Sequence, residues 1–205
     1  MSQPSSPPPN PASSPPPRPL DVRAAILSYL LPGLGQVIQG RIAKGLVFFV
    51  GLYSLFFYGM AMGQMKNVWL PDARKLPEAS VFGMPLGGVA KALYYRPQFL
   101  GQFWIGSAAW PALAQYFVGE PLPADGVIDD RKGIAVIGKY MMTPTETELN
   151  QLQRDGNKRW DLGWVYTLIA GVLNLLVIYD AFAGPAMKDD FEDEKTPTPP
   201  TEPKS

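Results

Sequence analysis

Any chemistry in this chain must come from hydroxyls, amides, carboxylates and amines, because its 205 residues include no histidine and no cysteine. Without thiols there is no disulfide, no thiolate nucleophile and no iron–sulfur ligation. Without imidazole there is no Ser-His dyad, no His-ligated haem and none of the usual zinc sites. A Ser-Lys pair is the nucleophilic arrangement that remains, for instance Ser28 with Lys44. A polar substrate path could be lined by Gln102, Gln115 and Asn174, uncharged amides set inside long apolar runs. An amide in such a run serves equally well as an interhelical hydrogen bond that fixes register, so two readings of Asn174 stand. Asp180 invites a proton-relay reading, with interface anchoring near Lys188 as its alternative. None of these makes a catalytic, cofactor-binding or metal-ligating set. The expectation is a non-enzyme without cofactor and without a nucleic-acid partner.

The elements that carry these residues are apolar blocks with charge confined to the gaps. A bilayer core of about 30 Å takes roughly 20 residues of helix. Gly45–Met65 is an uncharged run of 21 residues, and Gln98–Gly119 is a second with Pro111 in its middle. Leu162–Tyr179 is a third, bracketed by Asp161 and Asp180, about 28 Å apart at the helical rise. Aromatic residues gather at the ends of these runs (Trp160, Trp164 and Tyr179 around the last), as they do at membrane interfaces. The expected fold is an all-α membrane protein, a small bundle of about four transmembrane helices over 22–40, 45–65, 98–119 and 162–182. Pro111 predicts a kink in the third helix, since it cannot donate to the carbonyl of Ser107.

The first run is short and interrupted. Pro32, Gly33 and Gly35 break it and Gly40 turns it toward the second span, a structural hairpin in which the first segment either tilts across the membrane or re-enters. Gln36 and Gln39 sit where lipid contact would be costly, while Arg41 and Lys44 suit the membrane surface. In the last span Gly163, Thr167, Gly171 and Asn174 recur at helical spacing, the small-residue stripe that lets helices pack closely in lipid. Gly101 and Gly59-x-x-x-Gly63 extend the pattern to the other spans.

Residues 1–20 are rich in Pro and Ser, and 186–205 are acidic and again Pro-rich; both compositions predict disordered tails around a membrane domain at 21–185. The extramembrane loops are 66–97 and 120–161. The second carries a strand-like stretch at 133–142 and a helix opened by a capping box over Thr143–Glu146, with its stop at Gly156. If all four runs span, the basic residues divide ten to eight, and the face holding the 66–96 loop and both termini is read as cytoplasmic.

The stretch Leu31–Leu46, LPGLGQVIQGRIAKGL, resembles the Pro-Gly-Leu-Gly-Gln hairpins of uncharacterised bacterial membrane families and is distantly similar to the two-helix TM2-type domain. Leu162–Pro185 resembles the last helix of one such family, a planctomycete-type domain of unknown function. The resemblance implies a multi-pass protein of the bacterial cytoplasmic membrane and supplies no activity. Three function classes follow: a structural or assembly component of the cell envelope, meeting the bilayer and a protein partner or second copy; a small transporter or channel subunit; and, most remotely, an intramembrane hydrolase. Convergence of Asn174, Gln102 and Gln115 on one cavity would mark the transporter, whereas separate helix contacts would not.

Overall fold

The computed structural model describes residues 20–123, 129–155 and 158–184. The tails expected at 1–20 and 186–205 fall outside these residues but for Leu20, as do Gly156 and Lys188. The chain is mostly helical: α1 Val22–Leu30, α2 Leu34–Ile38, α3 Ile42–Met62, α4 Gly88–Tyr95, α5 Gln98–Phe103, α6 Trp110–Val118, α7 Glu146–Asp155 and α8 Arg159–Ala183. Two of these, α3 and α8, are long and apolar enough to cross a membrane.

Helices α3 and α8 are antiparallel partners. Near one end Gly59 and Gly163 meet backbone to backbone, so that a Cβ on either would lie 2.7 Å from the other's carbonyl oxygen. At the opposite end Lys44 pairs with Asp180. We name the end of α8 near Ala183 the terminal face and the other the cap face.

The first run is two short helices. Asp21 caps α1, its Oδ1 accepting from Ala24 N at 3.0 Å. Pro32 supplies no N–H, and Gly33 turns the chain at a left-handed φ of +85° into α2. The chain then returns to its starting level, because Gln39 and Asp21 bond to each other and both reach the last turn of α8. The α1–α2 hairpin thus enters and leaves on the terminal face.

The third run departs from the expected single kinked span. It comprises α5, a 3-10 turn over Gly106–Ala109 and α6. Gly106 makes the break, at φ +85°. Pro111 instead occupies the second position of α6, where a helix has no use for its N–H. Arg96, just before α5, bonds to Asn67 O in the cap, and Trp104, just after it, accepts from Asn174 in the middle of α8, so α5 descends from the cap face. Helix α6 climbs back, and Gln115 on it bonds to Gly138 O and Tyr140 O in the cap. This second hairpin faces the first tip to tip: the Gly106 backbone lies against the Tyr29 carbonyl, and the Tyr29 ring packs edge-on against Trp104.

The cap is formed by 64–97 and by the segments following α6. Its two strands, β1 Ser80–Val81 and β2 Met84–Pro85, pair antiparallel around Phe82-Gly83. The strand expected over 133–142 is not formed; Gly133 and Gly138 take left-handed angles and leave one bridge, Ile134 to Gly138. The capping box lies two residues later than expected, with Thr145 N donating to Glu148 Oε2 at 3.1 Å and Glu148 N to Thr145 Oγ1 at 3.3 Å. Burial raises the Glu148 pKa, but Lys66 and the Thr145 amide outweigh it and hold the carboxyl below its ordinary value. A depressed folded pKa lends stability above the unfolded value of about 4.3 and loses it as pH falls through the folded one. Protease protection of α7 is therefore expected to fall as pH drops below about 4, and Glu148→Gln to flatten that dependence. Cleavage within 146–155 followed against pH checks both.

Candidate functional site

Among the described residues two polar clusters lie in the bundle, and in each, side-chain amides bond main-chain carbonyls of neighbouring segments. The first ties the α1–α2 hairpin to the end of α8. The last carbonyls of a helix lack internal partners. Here Ala181 O accepts from Gln39 Nε2 at 2.7 Å and Phe182 O from Asp21 N at 3.0 Å. Gln36 is fully buried; its Nε2 donates to Val177 O at 2.8 Å and Asp180 Oδ2 at 3.1 Å, while its Oε1 accepts from Ser28 Oγ at 3.0 Å. Ser28 Oγ in turn accepts from Gly35 N at 3.1 Å. Asp180 completes the cluster with Arg41 Nη2 and Lys44 Nζ, each at 2.7 Å.

Deeper in the bundle, Asn174 joins both hairpin tips. Pro32 has no N–H to offer Ser28 O, four residues earlier in α1. The Asn174 amide supplies that donor at 3.3 Å and also reaches Trp104 O, at the end of α5, at 2.8 Å. Asn174 stands six residues before Asp180, about 9 Å along α8 from the terminal face. Leucine at 174 would leave both carbonyls unpaired. Asn174→Leu is expected to lose about 1–2 kcal/mol of bundle stability, read as a lower denaturation midpoint of purified protein.

The second cluster lies toward the cap. Gln102 Nε2 donates to Thr167 Oγ1 at 2.7 Å and to Asn67 O at 3.1 Å. Arg96 Nη2 reaches the same carbonyl at 2.8 Å, and Asn67 Nδ2 returns to Gly59 O at 3.0 Å. The Arg96 guanidinium lies 3.8 Å from the centre of the Trp69 ring. Burial pulls its pKa down to about 9, so it stays charged at neutral pH, with no ion pair among the described residues.

The residues singled out from sequence divide accordingly. Gly33 and Gly35 sit where a side chain would strike Gly45 O and Ala24 O respectively. Pro32 lies in the turn between α1 and α2, and Gly40 adopts φ +79° in open space. On α8, Gly163, Thr167, Gly171 and Asn174 are all buried, and a Cβ on Gly171 would strike Gly101 O. Asn174, Gln102 and Gln115 do not meet: each bonds a different pair of partners. Ser28 and Lys44 are occupied separately, the one by Gln36 and Gly35 and the other by Asp180. Gly106, Arg96 and Asn67 were not among the residues that sequence marks. A glycine beside a serine in an apolar run is too common to signal a reversal, and the two cap residues acquire meaning only through burial.

The chain belongs to a family of unknown function, DUF6677, whose model matches residues 23–193. No curated protein and no solved structure matches it.

Proposed function

We propose that this DUF6677 protein is a multi-pass component of the bacterial cytoplasmic membrane with a structural or assembly role. Its membrane part would be two crossing helices and two half-depth hairpins entering from opposite faces. The observation that carries the membrane reading is the outward apolar surface of α3 and α8. These helices are the central packing pair, yet only 28% and 33% of their apolar windows is buried. Leu46, Val47, Val50 and Phe57 on α3, with Val172 and Leu176 on α8, face outward. Water would oppose such a surface at about 25 cal/mol per Å²; lipid would not. At the first broken tip Asn174 serves the carbonyl left open by Pro32, in line with the condition a bilayer sets on irregular backbone.

The structural role, in preference to transport, rests on the separate engagement of Asn174, Gln102 and Gln115 in helix contacts. The hydrolase reading loses the Ser-Lys pair named for it, since Ser28 and Lys44 are bonded elsewhere. With two re-entrant hairpins, both termini share one face and the whole cap lies on the other. The cap side then carries 11 of the 18 basic residues, which favours a cytoplasmic cap over the cytoplasmic termini expected for four spans. Four full spans would instead place 66–97 and 120–161 on opposite faces. The chain has no cysteine, so single substitutions report topology directly. Lys75→Cys and Lys132→Cys should take an impermeant maleimide from the same side, and Arg23→Cys from the other. Labelling of Lys75→Cys and Lys132→Cys from opposite sides would restore four spans. For the assembly role, a photo-crosslinker at Phe82, 97% exposed at the tip of the cap hairpin, should trap a protein adduct in native membranes. Failure there and at Val136, also bare on the cap, would count against it.

A further inference from the structure

Helices α3 and α8 meet backbone to backbone at Gly59 and Gly163 near the cap face. Toward the terminal face Gly45 of α3 is used against α2, with Gly33 O and Val37 Cγ2 over it, and Gly51 faces open space. No glycine pair joins α3 and α8 there, and the side chains they set against each other are large. Between them is a groove of about 290 Å³ walled by Phe48, Leu52, Leu173, Leu176 and Val177, with Asp180 at its head. The head of the groove is the charged part of the first cluster. Asp180 receives two cations, Arg41 and Lys44, while Asp21, linked to Arg41 through Gln39, is offset by Arg23, which leaves a local excess of one positive charge. Lys44 is 43% exposed and has further donors beyond the one given to Asp180.

We propose that this groove seats one acyl chain of an anionic phospholipid, with the lipid phosphate on Lys44 and Arg41. The proposal rests on the membrane reading above. The lining is apolar over its whole length and the cations stand at one end, at the level where α8 leaves the apolar layer. A long apolar chain joined to an anionic head matches that order. A zwitterionic lipid would bring its own cation against Arg41 and Lys44, and a basic head is worth roughly fivefold per charge in preference for anionic lipid.

The full chain, purified in mild detergent, is offered mixed micelles of phosphatidylglycerol or phosphatidylcholine, and retained lipid is counted by native mass spectrometry. Wild type should retain phosphatidylglycerol at least about fivefold over phosphatidylcholine. Lys44→Gln should remove most of that preference while still binding both. Leu176→Trp, at a position 62% exposed and so outside the packed core, should fill the groove and reduce retention of both lipids. Equal retention of the two lipids by wild type, or unaltered retention by Leu176→Trp, overturns the proposal. So does inorganic phosphate competing away phosphatidylglycerol as well as the lipid itself does, since that would make the site one for a free anion. Alkaline extraction of native membranes separates the two readings. A chain released by carbonate defeats the membrane placement itself, whereas a retained chain without lipid preference defeats only the groove.

Discussion

Gly106→Ala is expected to remove most of the folded bundle although it adds a single methyl group. Gly106 holds a φ of +85°, a region that costs other residues about 1–3 kcal/mol. Its Cβ would also be driven into the Tyr29 carbonyl oxygen, with Leu30 O only 3.0 Å away. Main-chain atoms cannot swing aside as a side-chain end can, so the two hairpin tips would have to part. Parting them breaks the Asn174 bridge and uncovers the aromatic contact of Tyr29 with Phe103, so the total should exceed about 3 kcal/mol. Gly40→Ala is the control, since Gly40 has a similar φ of +79° but nothing within reach of a new Cβ. It should cost only about 1 kcal/mol. Folded yield after detergent extraction, compared for the two variants by size-exclusion profile, gives the answer. Equal yields would mean that the tips are not in contact and that the opposed-hairpin arrangement is wrong.

That arrangement also shows what an apolar run can and cannot say. Residues 98–119 are long enough for one crossing, and the same length serves a hairpin that goes halfway in and returns. Composition is identical in the two cases, because both surround the backbone with lipid or protein. The difference resides in one residue able to reverse the chain, Gly106, and in what it meets, a carbonyl more than seventy positions earlier. The first run was more readable. Pro32, Gly33 and Gly35 stand together and mark the break, and the amides Gln36 and Gln39 sit where lipid contact would be costly. Their partners could not be seen: the carbonyls of Val177 and Ala181 carry no sequence signature.

The cap was less legible for a related reason. The pattern Thr-x-x-Glu occurs twice, from Thr143 and from Thr145, and only the second is used. Lys66 reaches Glu148 and not Glu146, and that distant ion pair reinforces the later start. The stretch 133–142 has β-branched residues suited to a strand but no partner strand among the described residues, so it folds on itself through Gly133 and Gly138.

The second large effect concerns the first hairpin. Gly33→Leu combined with Gly35→Leu should leave almost no inserted, protease-resistant protein. Gly33 needs a left-handed φ of +85°, and its side of the turn is closed by the backbone of Gly45 on α3. Gly35 is closed by Ala24 O and by Ser28 Oγ, the same hydroxyl that bonds Gln36. Two leucines would push α2 away from both α1 and α3. Gln36 and Gln39 would then lose the α8 carbonyls, and Asp180 would lose two of its partners' fixed positions. With strain, overpacking and the loss of several buried hydrogen bonds together, the cost exceeds about 5 kcal/mol, the whole stability of many domains. Arg41→Ala makes the informative contrast. Arg41 is one of three donors to Asp180, and Lys44 and Gln36 remain when it is gone. A partly exposed ion pair of this kind is worth about 1 kcal/mol or less, so the variant should insert and fold nearly as wild type does. The expected order is therefore wild type, then Arg41→Ala close behind, then the double leucine variant far below. If the double variant is as abundant as wild type, the hairpin only connects its neighbours. If Arg41→Ala fails as badly as the double variant, the charges around Asp180, and not the close backbone packing at the glycines, hold the hairpin to α8.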